Sequence, residues 1–381
     1  MGSRFRHYDP AMRRILCLNG PNLDRLGTRA PAIYGHQTLD QLHRQIEEWG
    51  DALGLEVICE QSNHEGVLID WLQAADSMAG VIVNPGALTH TSAALADAIA
   101  ACPTPTVEVH LSNVRNRQRW RRRSYVSGSV VRTIQGRGVE GYRAALRHLD
   151  NREAWNAETV RYGPHPDHFV DLRSVDGASA GVILIHGGFW LDAWGGDTVE
   201  AWAVDLARRG IPSAVIEYRR LGSGGGAIAT TSDVTEAIAT AAAALKLTAF
   251  AVVGHSSGGH LAAWSAIGGS PTAAVTVTVA GIFDLRNADT TGVGGGNAGR
   301  FDPGYVTSPV ALAGPTSPIV LVHGDADDVV PPEQSAAYAR HLETVGATPS
   351  LDLVPGGHFD ALDPGSPAWQ AVVAHLTDRL L

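Results

Sequence analysis

A serine between glycines lies in the second half of the chain, in the sequence Gly-His-Ser-Ser-Gly at residues 254–258. Small apolar residues before Ser256 predict a strand and those after it predict a helix, so the serine lies on a sharp strand-to-helix turn. Three aspartates follow a later predicted strand: Asp325, Asp327 and Asp328. His358 lies in a glycine loop before the last predicted helix. Serine, carboxylate and histidine in this order predict acyl transfer by an activated serine.

The second half, from about Tyr162 to Leu381, resembles the α/β-hydrolase superfamily. The HGxxDxxVP pattern of that superfamily selects Asp327 as the acid, with Asp325 and Asp328 as less favoured neighbours. In this role Asp327 would fix the tautomer of His358, and His358 would take the proton of Ser256.

The sequence His-Gly-Gly-Phe-Trp at residues 186–190 is similar to the HGG(F/Y)W motif of arylformamidases and related small esterases. The resemblance implies an oxyanion hole formed by backbone N–H groups of Gly187, Gly188 and Ser257, worth about 3 kcal/mol per donor. We interpret His186 as a structural residue of this turn. The expected substrate is a small ester or amide of unidentified structure.

The first half presents different chemistry. Short apolar runs alternate with helical patterns, which predicts a parallel sheet covered on both faces, and Thr38 with Gln41 predicts a capping box at the first helix. Ligands bind at the carboxyl ends of the strands in such folds, and Asn22, Asn84 and His110 lie there. The fold class is therefore α/β, with a flavodoxin-like parallel-sheet domain followed by an α/β-hydrolase domain.

Four blocks of the first half, at residues 19–35, 61–66, 84–98 and 108–125, closely resemble type II 3-dehydroquinate dehydratases. The resemblance implies a cofactor-free dehydration of 3-dehydroquinate to 3-dehydroshikimate through an enolate. Such a reaction needs a base for the proton beside the carbonyl, a means of holding the enolate and an acid for the departing hydroxyl.

The resemblance implies a role for each reacting residue. Tyr34 would be the base, with its phenolate favoured by Arg29, and Asn22 would hold the water that stabilises the enolate. His110 would be the general acid, oriented by Glu108 two residues earlier on the same strand face.

Further residues match positions that bind the substrate in this family: Asn84, His90, Asp97, Leu111, Ser112, Arg117 and Arg121. The resemblance implies that Asn84 positions His110 and the leaving hydroxyl, and that Arg117 belongs to a mobile lid. An aspartate at the Asp97 position reaches the site of a neighbouring subunit in the family, which implies a trimer-based homo-oligomer, possibly a dodecamer.

The only lysine of the chain, Lys246, lies in the second half, so a lysine Schiff base is excluded for the first half. The Arg-Glu-Pro sequence usual in the family reads Arg29-Ala30-Pro31, which removes a carboxylate that would support the arginine. An alternative hypothesis is that only one half of the chain is catalytic and that the other half is an assembly or binding module. In that hypothesis the serine hydrolase is favoured as the catalytic half.

Six arginines lie between residues 115 and 123, with Trp120 among them. Taken alone, they predict either a nucleic-acid patch or a solvated basic helix face. Because Arg117 and Arg121 occupy family positions, we favour an anion-binding lid over a carboxylate substrate, and we expect no nucleic-acid partner.

A chain of 381 residues is longer than a single hydrophobic core usually organises. We predict domains at 12–150 and 164–381, joined by a polar linker at 151–163. Residues 1–150 hold 17 basic and 15 acidic side chains, a net charge of +2. The remainder holds 12 basic and 24 acidic side chains, a net charge of −12. An acidic second half argues against nucleic acid or an anionic membrane as its partner.

The three cysteines, Cys17, Cys59 and Cys102, have no CxxC spacing and predict neither a disulfide framework nor a zinc site. Residues 1–11 contain no apolar signal region, and no apolar run reaches the length of a membrane span. We therefore expect a cytoplasmic protein that uses neither a metal nor a cofactor.

Overall fold

The chain divides into two compact units, Met1–Glu153 and Ala154–Leu381, each with its own sheet. The structure is a computed structural model that describes residues 12–29, 36–114, 118–155, 157–268 and 272–380. Among these residues, no helix has the length and apolar character needed to cross a membrane.

The first unit contains a five-stranded parallel sheet in the order β2-β1-β3-β4-β5. The strands are β1 (Arg13–Asn19), β2 (Leu55–Gln61), β3 (Gly80–Asn84), β4 (Thr106–His110) and β5 (Arg132–Gln135). The helices are α1 (Leu39–Ala52), α2 (Glu65–Gln73), α3 (Ala93–Ala101) and α4 (Glu140–Trp155). The capping box predicted at α1 is confirmed, because Thr38 and Gln41 exchange both hydrogen bonds.

Both faces of this sheet are buried, which explains the continuous apolar runs in the sequence. Ile15 and Cys17 of β1 point into a core shared with α1 and α4. Leu16 and Leu18, which alternate with them, point into a second core shared with α2 and α3. The predicted flavodoxin-like parallel sheet is confirmed.

The second unit contains an eight-stranded sheet in the order β13-β12-β11-β10-β8-β9-β7-β6. The strands are β6 (Glu158–Arg161), β7 (Phe169–Arg173), β8 (Ala180–Ile185), β9 (Ser213–Ile216), β10 (Ala249–His255), β11 (Val275–Val279), β12 (Ile319–Gly324) and β13 (Ser350–Val354). The helices are α5 (Glu200–Arg208), α6 (Ala227–Ala244), α7 (Ser257–Gly268), α8 (Leu285–Thr291), α9 (Ala298–Phe301), α10 (Glu333–Thr344) and α11 (Pro367–Arg379). Within the described residues, β7 pairs antiparallel with both of its neighbours, β6 and β9, and the other neighbouring strands of this sheet pair parallel.

Helices cover both faces of the second sheet as well. Residues of α6 and α7 pack on one face. On the other face, Trp202 of α5 stacks on Trp369 of α11, with ring centroids 4.6 Å apart. This arrangement is the predicted α/β-hydrolase architecture.

The structure differs from the polar linker predicted at 151–163. Helix α4 continues to Trp155, and β6 pairs antiparallel with β7. Strand β6 reads as a connector in the sequence because it is an edge strand whose residues are mostly exposed, so its pattern carries no apolar signal.

Candidate active sites

A solvent-open cavity of about 600 Å³ lies at the carboxyl ends of the strands in the first unit. It brings together many of the residues predicted for dehydration and substrate binding: Asn22, Arg29, Asn84, His90, His110, Leu111, Ser112 and Arg121. Asn84 and His110 are the last residues of β3 and β4, and neighbouring strands of a parallel sheet place them side by side.

The other predicted residues of this half lie elsewhere or outside the described part. Glu108 is fully buried behind His110 and does not line the cavity. Asp97 is exposed on α3. Tyr34, Ala30 and Arg117 lie outside the described residues, so their predicted roles stay predictions.

His110 and Glu108 form a buried pair, with 2.8 Å between Nε2 of the imidazole and Oε1 of the carboxylate. Thr133 donates to Oε2 of Glu108 at 3.0 Å, and Thr89 donates to Oε1. The carboxylate therefore holds Nε2 as the protonated nitrogen and leaves Nδ1 to exchange a proton with a ligand.

Burial by itself would raise the pKa of Glu108, but the nearby charge of His110 and three hydrogen bonds outweigh it and hold that pKa below its ordinary value. Glu108 is thus an anion at neutral pH. Its negative charge lies beside the imidazole of His110, the residue predicted to act as the general acid.

The rim of the cavity is built from polar loop residues. Asn22 adopts the left-handed conformation with φ 68°, which asparagine tolerates, and its backbone N–H donates to Oδ1 of Asn63 at 2.8 Å. His90 hydrogen-bonds the Arg123 carbonyl through Nδ1 at 2.7 Å. With Arg29 and Arg121 also on the wall, the cavity suits an anionic, hydroxylated ligand.

The second unit holds a hydrogen-bonded serine, histidine and aspartate. Nε2 of His358 lies 3.0 Å from Oγ of Ser256, and Nδ1 of His358 lies 2.7 Å from Oδ2 of Asp327. All three side chains are buried, and they follow strands β10, β12 and β13. The distances are those needed for a histidine that takes the serine proton while a carboxylate orients it.

Asp327 is held by more than His358. Its Oδ1 accepts from the backbone N–H groups of Val329 and Val330 at 2.9 and 2.8 Å, and Nε2 of His323 lies 3.3 Å from its Oδ2. Burial would raise the pKa of Asp327, but hydrogen bonds from His323 and His358 prevail and hold it well below its usual range. His323 is a contact of Asp327 that was not predicted.

Ser256 occupies the strained turn that its flanking glycines predict. Its φ is 57°, and its backbone N–H donates to the Val279 carbonyl at 2.8 Å. A Cβ on Gly254 would lie 2.1 Å from the carbonyl oxygen of Gly258, so no larger residue fits there. The close backbone contact is what raises Ser256 above the strand end.

Gly187 and Gly188 lie beside Ser256 on the wall of a cavity of about 310 Å³. Aromatic and aliphatic side chains form much of the rest of the wall: Phe189, Trp194, Phe359 and Leu362. Oγ of Ser257 accepts from the backbone N–H of Trp190 at 3.4 Å, which ties the glycine loop to the start of α7. The described residues that line the wall include no lysine, arginine, aspartate or glutamate, so this part of the cavity suits an uncharged group.

His186 takes part in a buried polar cluster under the glycine loop, as its structural interpretation requires. Its Nε2 lies 2.9 Å from Nη1 of Arg220, and Arg220 also pairs with Glu217. Oε1 of Glu217 accepts from the backbone N–H of Gly196 at 2.6 Å. Glu217 and Arg220 were not predicted, and the only sequence signal was a charged Glu-Tyr-Arg-Arg run directly after a buried strand.

His260 is a buried histidine whose neutral form the fold requires. Its Nδ1 accepts from Nε1 of Trp190 at 3.2 Å, and its Nε2 lies 3.0 Å from the Thr307 carbonyl. Burial lowers its pKa from 6.5 to about 4. Between those two values the unfolded chain binds more protons than the folded chain, so stability falls as pH is lowered through this window.

We expect the His260→Gln variant to lose this pH dependence, because glutamine can also accept from Trp190 and donate to Thr307 but cannot titrate. The acid-induced loss of stability between pH 6.5 and 4 should shrink by roughly 3 kcal/mol in urea unfolding followed by tryptophan fluorescence. The matched control is His341→Gln on α10. Equal pH slopes in wild type and His260→Gln would contradict the assignment.

Comparisons with known proteins match the two units separately. The family model for dehydroquinase class II matches residues 13–150. The 3-dehydroquinate dehydratase 2 of Pseudomonas putida is 53% identical over 136 residues, which cover 35% of this chain and 91% of that protein. The 3-dehydroquinate dehydratase of Deinococcus radiodurans is 50% identical over 137 residues, which cover 35% of this chain and 96% of that protein.

The family model for the prolyl oligopeptidase family matches residues 209–362, a range that contains Ser256, Asp327 and His358. A structure of Thermogutta terrifontis esterase 2 phosphonylated by sarin is 18% identical, with a TM-score of 0.50, and covers 58% of this chain and 93% of that one. At this identity the likeness establishes the fold of the second unit and nothing about its substrate.

Proposed function

Because the chain belongs, through its first unit, to the type II dehydroquinase family, we propose that it is a bifunctional enzyme that dehydrates 3-dehydroquinate and hydrolyses a small ester or amide. The observation that carries the proposal is that each unit has a cavity of its own, lined by residues predicted for one of the two reactions. The two reactions therefore have separate machinery.

In the proposed dehydration, Tyr34 removes the proton beside the substrate carbonyl, and the water held by Asn22 stabilises the enolate. As the enolate collapses, the bond to the leaving hydroxyl breaks and His110 supplies the proton, so that water departs. The anionic Glu108, at 2.8 Å from His110, orients the imidazole for this transfer. The cationic wall that includes Arg29 and Arg121 suits the substrate carboxylate.

In the proposed hydrolysis, Oγ of Ser256 attacks the carbonyl carbon while His358 takes its proton. Backbone N–H groups of Gly187, Gly188 and Ser257 are proposed to hold the resulting oxyanion. His358 then protonates the leaving group, and water releases the acyl group from Ser256 by the reverse proton path. The hydrogen bond that Nε2 of His358 accepts from Ser256 and the one that Nδ1 donates to Asp327 support these roles.

We further propose a homo-oligomer in a reducing compartment, the cytoplasm. The exposed position of Asp97 on α3 supports its proposed contact with a neighbouring subunit, and trimers that build a dodecamer are the expected form. All three cysteines are free thiols, which supports a reducing compartment.

We propose that the substrate range of the hydrolase depends on Trp194, which lines the cavity. Trp194 packs tightly against the glycine loop, since a Cβ added to Gly188 would lie only 2.1 Å from the Cβ of Trp194. We expect Trp194→Ala to shift the preference from p-nitrophenyl acetate toward the octanoate, with a rise in the octanoate-to-acetate ratio of kcat/KM of about tenfold. Because both kcat/KM values are measured on the same preparation, the fraction of folded protein cancels from their ratio. An unchanged ratio would show that Trp194 does not limit acyl length.

The proposal as a whole is tested by assaying both reactions on the full chain. Formation of the 3-dehydroshikimate enone from 3-dehydroquinate is followed by ultraviolet absorbance, and release of p-nitrophenol measures hydrolysis. Turnover of both substrates is expected. A folded protein that turned over only the ester would indicate that Ala30 in place of glutamate has disabled the first site and that this unit serves assembly or binding.

A further inference from the structure

A row of hydrogen bonds runs through the core of the first unit and ends at the cavity. Nδ2 of Asn84 lies 2.8 Å from Oη of Tyr142, and Oη of Tyr142 lies 2.6 Å from Oδ1 of Asn19. Nδ2 of Asn19 lies 3.1 Å from Nε2 of His43. Tyr142 and Asn19 are fully buried and have no part in the mechanism described above.

The donor and the acceptor of each hydrogen bond in this row can be assigned by starting at the cavity, from Asn84. The backbone N–H of Gly86 can only donate, and it lies 3.3 Å from Oδ1 of Asn84. The amide of Asn84 therefore turns Nδ2 toward Tyr142, whose oxygen accepts. Tyr142 has a single proton, and this proton goes to Oδ1 of Asn19.

The other end of the row, at His43, is consistent with this assignment of donors and acceptors. Asn19 has its oxygen toward Tyr142, so its Nδ2 donates to His43, and Nε2 of His43 must be an unprotonated acceptor. Burial lowers the pKa of His43, with Asp40 acting in the opposite sense, so the ring is neutral at pH 7. Burial also raises the pKa of Tyr142 well above its usual value, so its hydroxyl keeps its proton.

We propose that Tyr142, together with Asn19 and His43, is a positioning residue that fixes Asn84 as a hydrogen-bond donor toward the cavity. One Nδ2 hydrogen of Asn84 is used by Tyr142, and the second is available to an oxygen atom of a ligand beside His110. The inference rests on the proposed dehydration, in which the leaving hydroxyl is that oxygen.

Tyr142 affects the orientation of the Asn84 amide and not the reactivity of the substrate. Without the Tyr142 hydroxyl, the amide of Asn84 is held only by the longer hydrogen bond from the backbone N–H of Gly86, at 3.3 Å. Rotation about its last torsion would then present its carbonyl instead of its N–H and repel the leaving oxygen. A fixed donor removes this choice before the substrate binds, so the gain appears in the chemical step.

The test compares wild type, Tyr142→Phe, Asn84→Ala and the double variant of the full chain with 3-dehydroquinate. Phenylalanine keeps the ring in the core and removes only the hydroxyl. We expect Tyr142→Phe to lower kcat by about tenfold to a hundredfold with little change in KM. In the Asn84→Ala background the same change should have no further effect on kcat, since Tyr142 acts through Asn84.

The control for a merely structural loss is Thr104→Val, which removes a buried hydroxyl that donates to the Ala75 carbonyl at 2.8 Å, before the start of β4. It is expected to lower the melting temperature without lowering kcat. If Tyr142→Phe does not fold, His43→Leu interrupts the same row at its half-buried end and is compared with wild type and with Asn84→Ala in the same way.

Equal kcat values for wild type and Tyr142→Phe would overturn the inference, as would an equal loss in the presence and absence of the Asn84 amide. Absence of turnover by folded wild type would instead overturn the proposed dehydration and the inference with it. The two failures are therefore distinguished by the wild-type rate alone.

Discussion

Replacing Ser256 with alanine is expected to lower kcat for ester hydrolysis by about 10⁴- to 10⁶-fold and to leave the dehydration of 3-dehydroquinate unchanged. Without Oγ, His358 has no nucleophile to activate at 3.0 Å, and only binding and the oxyanion hole remain to speed the attack of water. Initial rates of p-nitrophenol release and of enone formation, measured on the same preparation, check both parts of the prediction.

Ser265→Ala is the matched control, because it removes a half-buried hydroxyl from the same helix, α7, where it donates to the Ala262 carbonyl at 2.8 Å. This variant should retain both activities. Hydrolysis by Ser256→Ala at a tenth of the wild-type rate would assign the ester reaction to another nucleophile. Loss of both reactions in Ser256→Ala would mean that the two units do not act separately.

Much of the hydrolase site could be predicted because its geometry depends on short local sequence. The tight turn at Ser256 requires Gly254 and Gly258, which stand in the same five residues. The choice among three neighbouring aspartates rested on a superfamily pattern. The structure places Asp327 against His358, whereas Oδ1 of Asp325 accepts from the backbone N–H of Gly356 at 3.3 Å.

Long-range contacts were beyond the reach of the sequence. Glu217 and Arg220 reach His186 from a different strand, and no local pattern distinguishes these buried charges from exposed ones. The same holds for Tyr142, which is separated from Asn19 by 123 residues and reads in the sequence as an ordinary core position of an amphipathic helix. Polar residues that contact a site only through other polar residues show no characteristic spacing in the sequence.

The strand β6 was missed for a different reason. Edge strands expose one side of their backbone and often both sets of side chains, so polar residues are tolerated there and the period of two disappears. Residues 158–161 are such a strand, and pairing with β7 is visible only in three dimensions. The division between the two units, after Glu153, lies inside the linker predicted at 151–163, although that stretch also holds the end of α4 and strand β6.

Replacing His110 with glutamine is expected to lower kcat for dehydration by roughly a thousandfold, with hydrolysis unchanged. Glutamine retains an N–H that can donate to Glu108, so the buried carboxylate keeps a partner and the unit stays folded. It cannot carry a proton to the leaving hydroxyl, which must then depart as hydroxide or draw its proton from water. Enone formation from 3-dehydroquinate measures the loss, and p-nitrophenol release serves as the internal control.

Glu108→Gln gives the graded comparison that separates proton transfer from packing. It keeps the size of the side chain and its acceptor oxygen for Thr133 but removes the negative charge beside the imidazole of His110. A loss of about tenfold to a hundredfold, smaller than that of His110→Gln, is expected because His110 is still present to act as the acid. Equal losses in the two variants would mean that the pair acts only as a structural unit, and a His110→Gln enzyme with wild-type kcat would assign the proton to another group in the cavity.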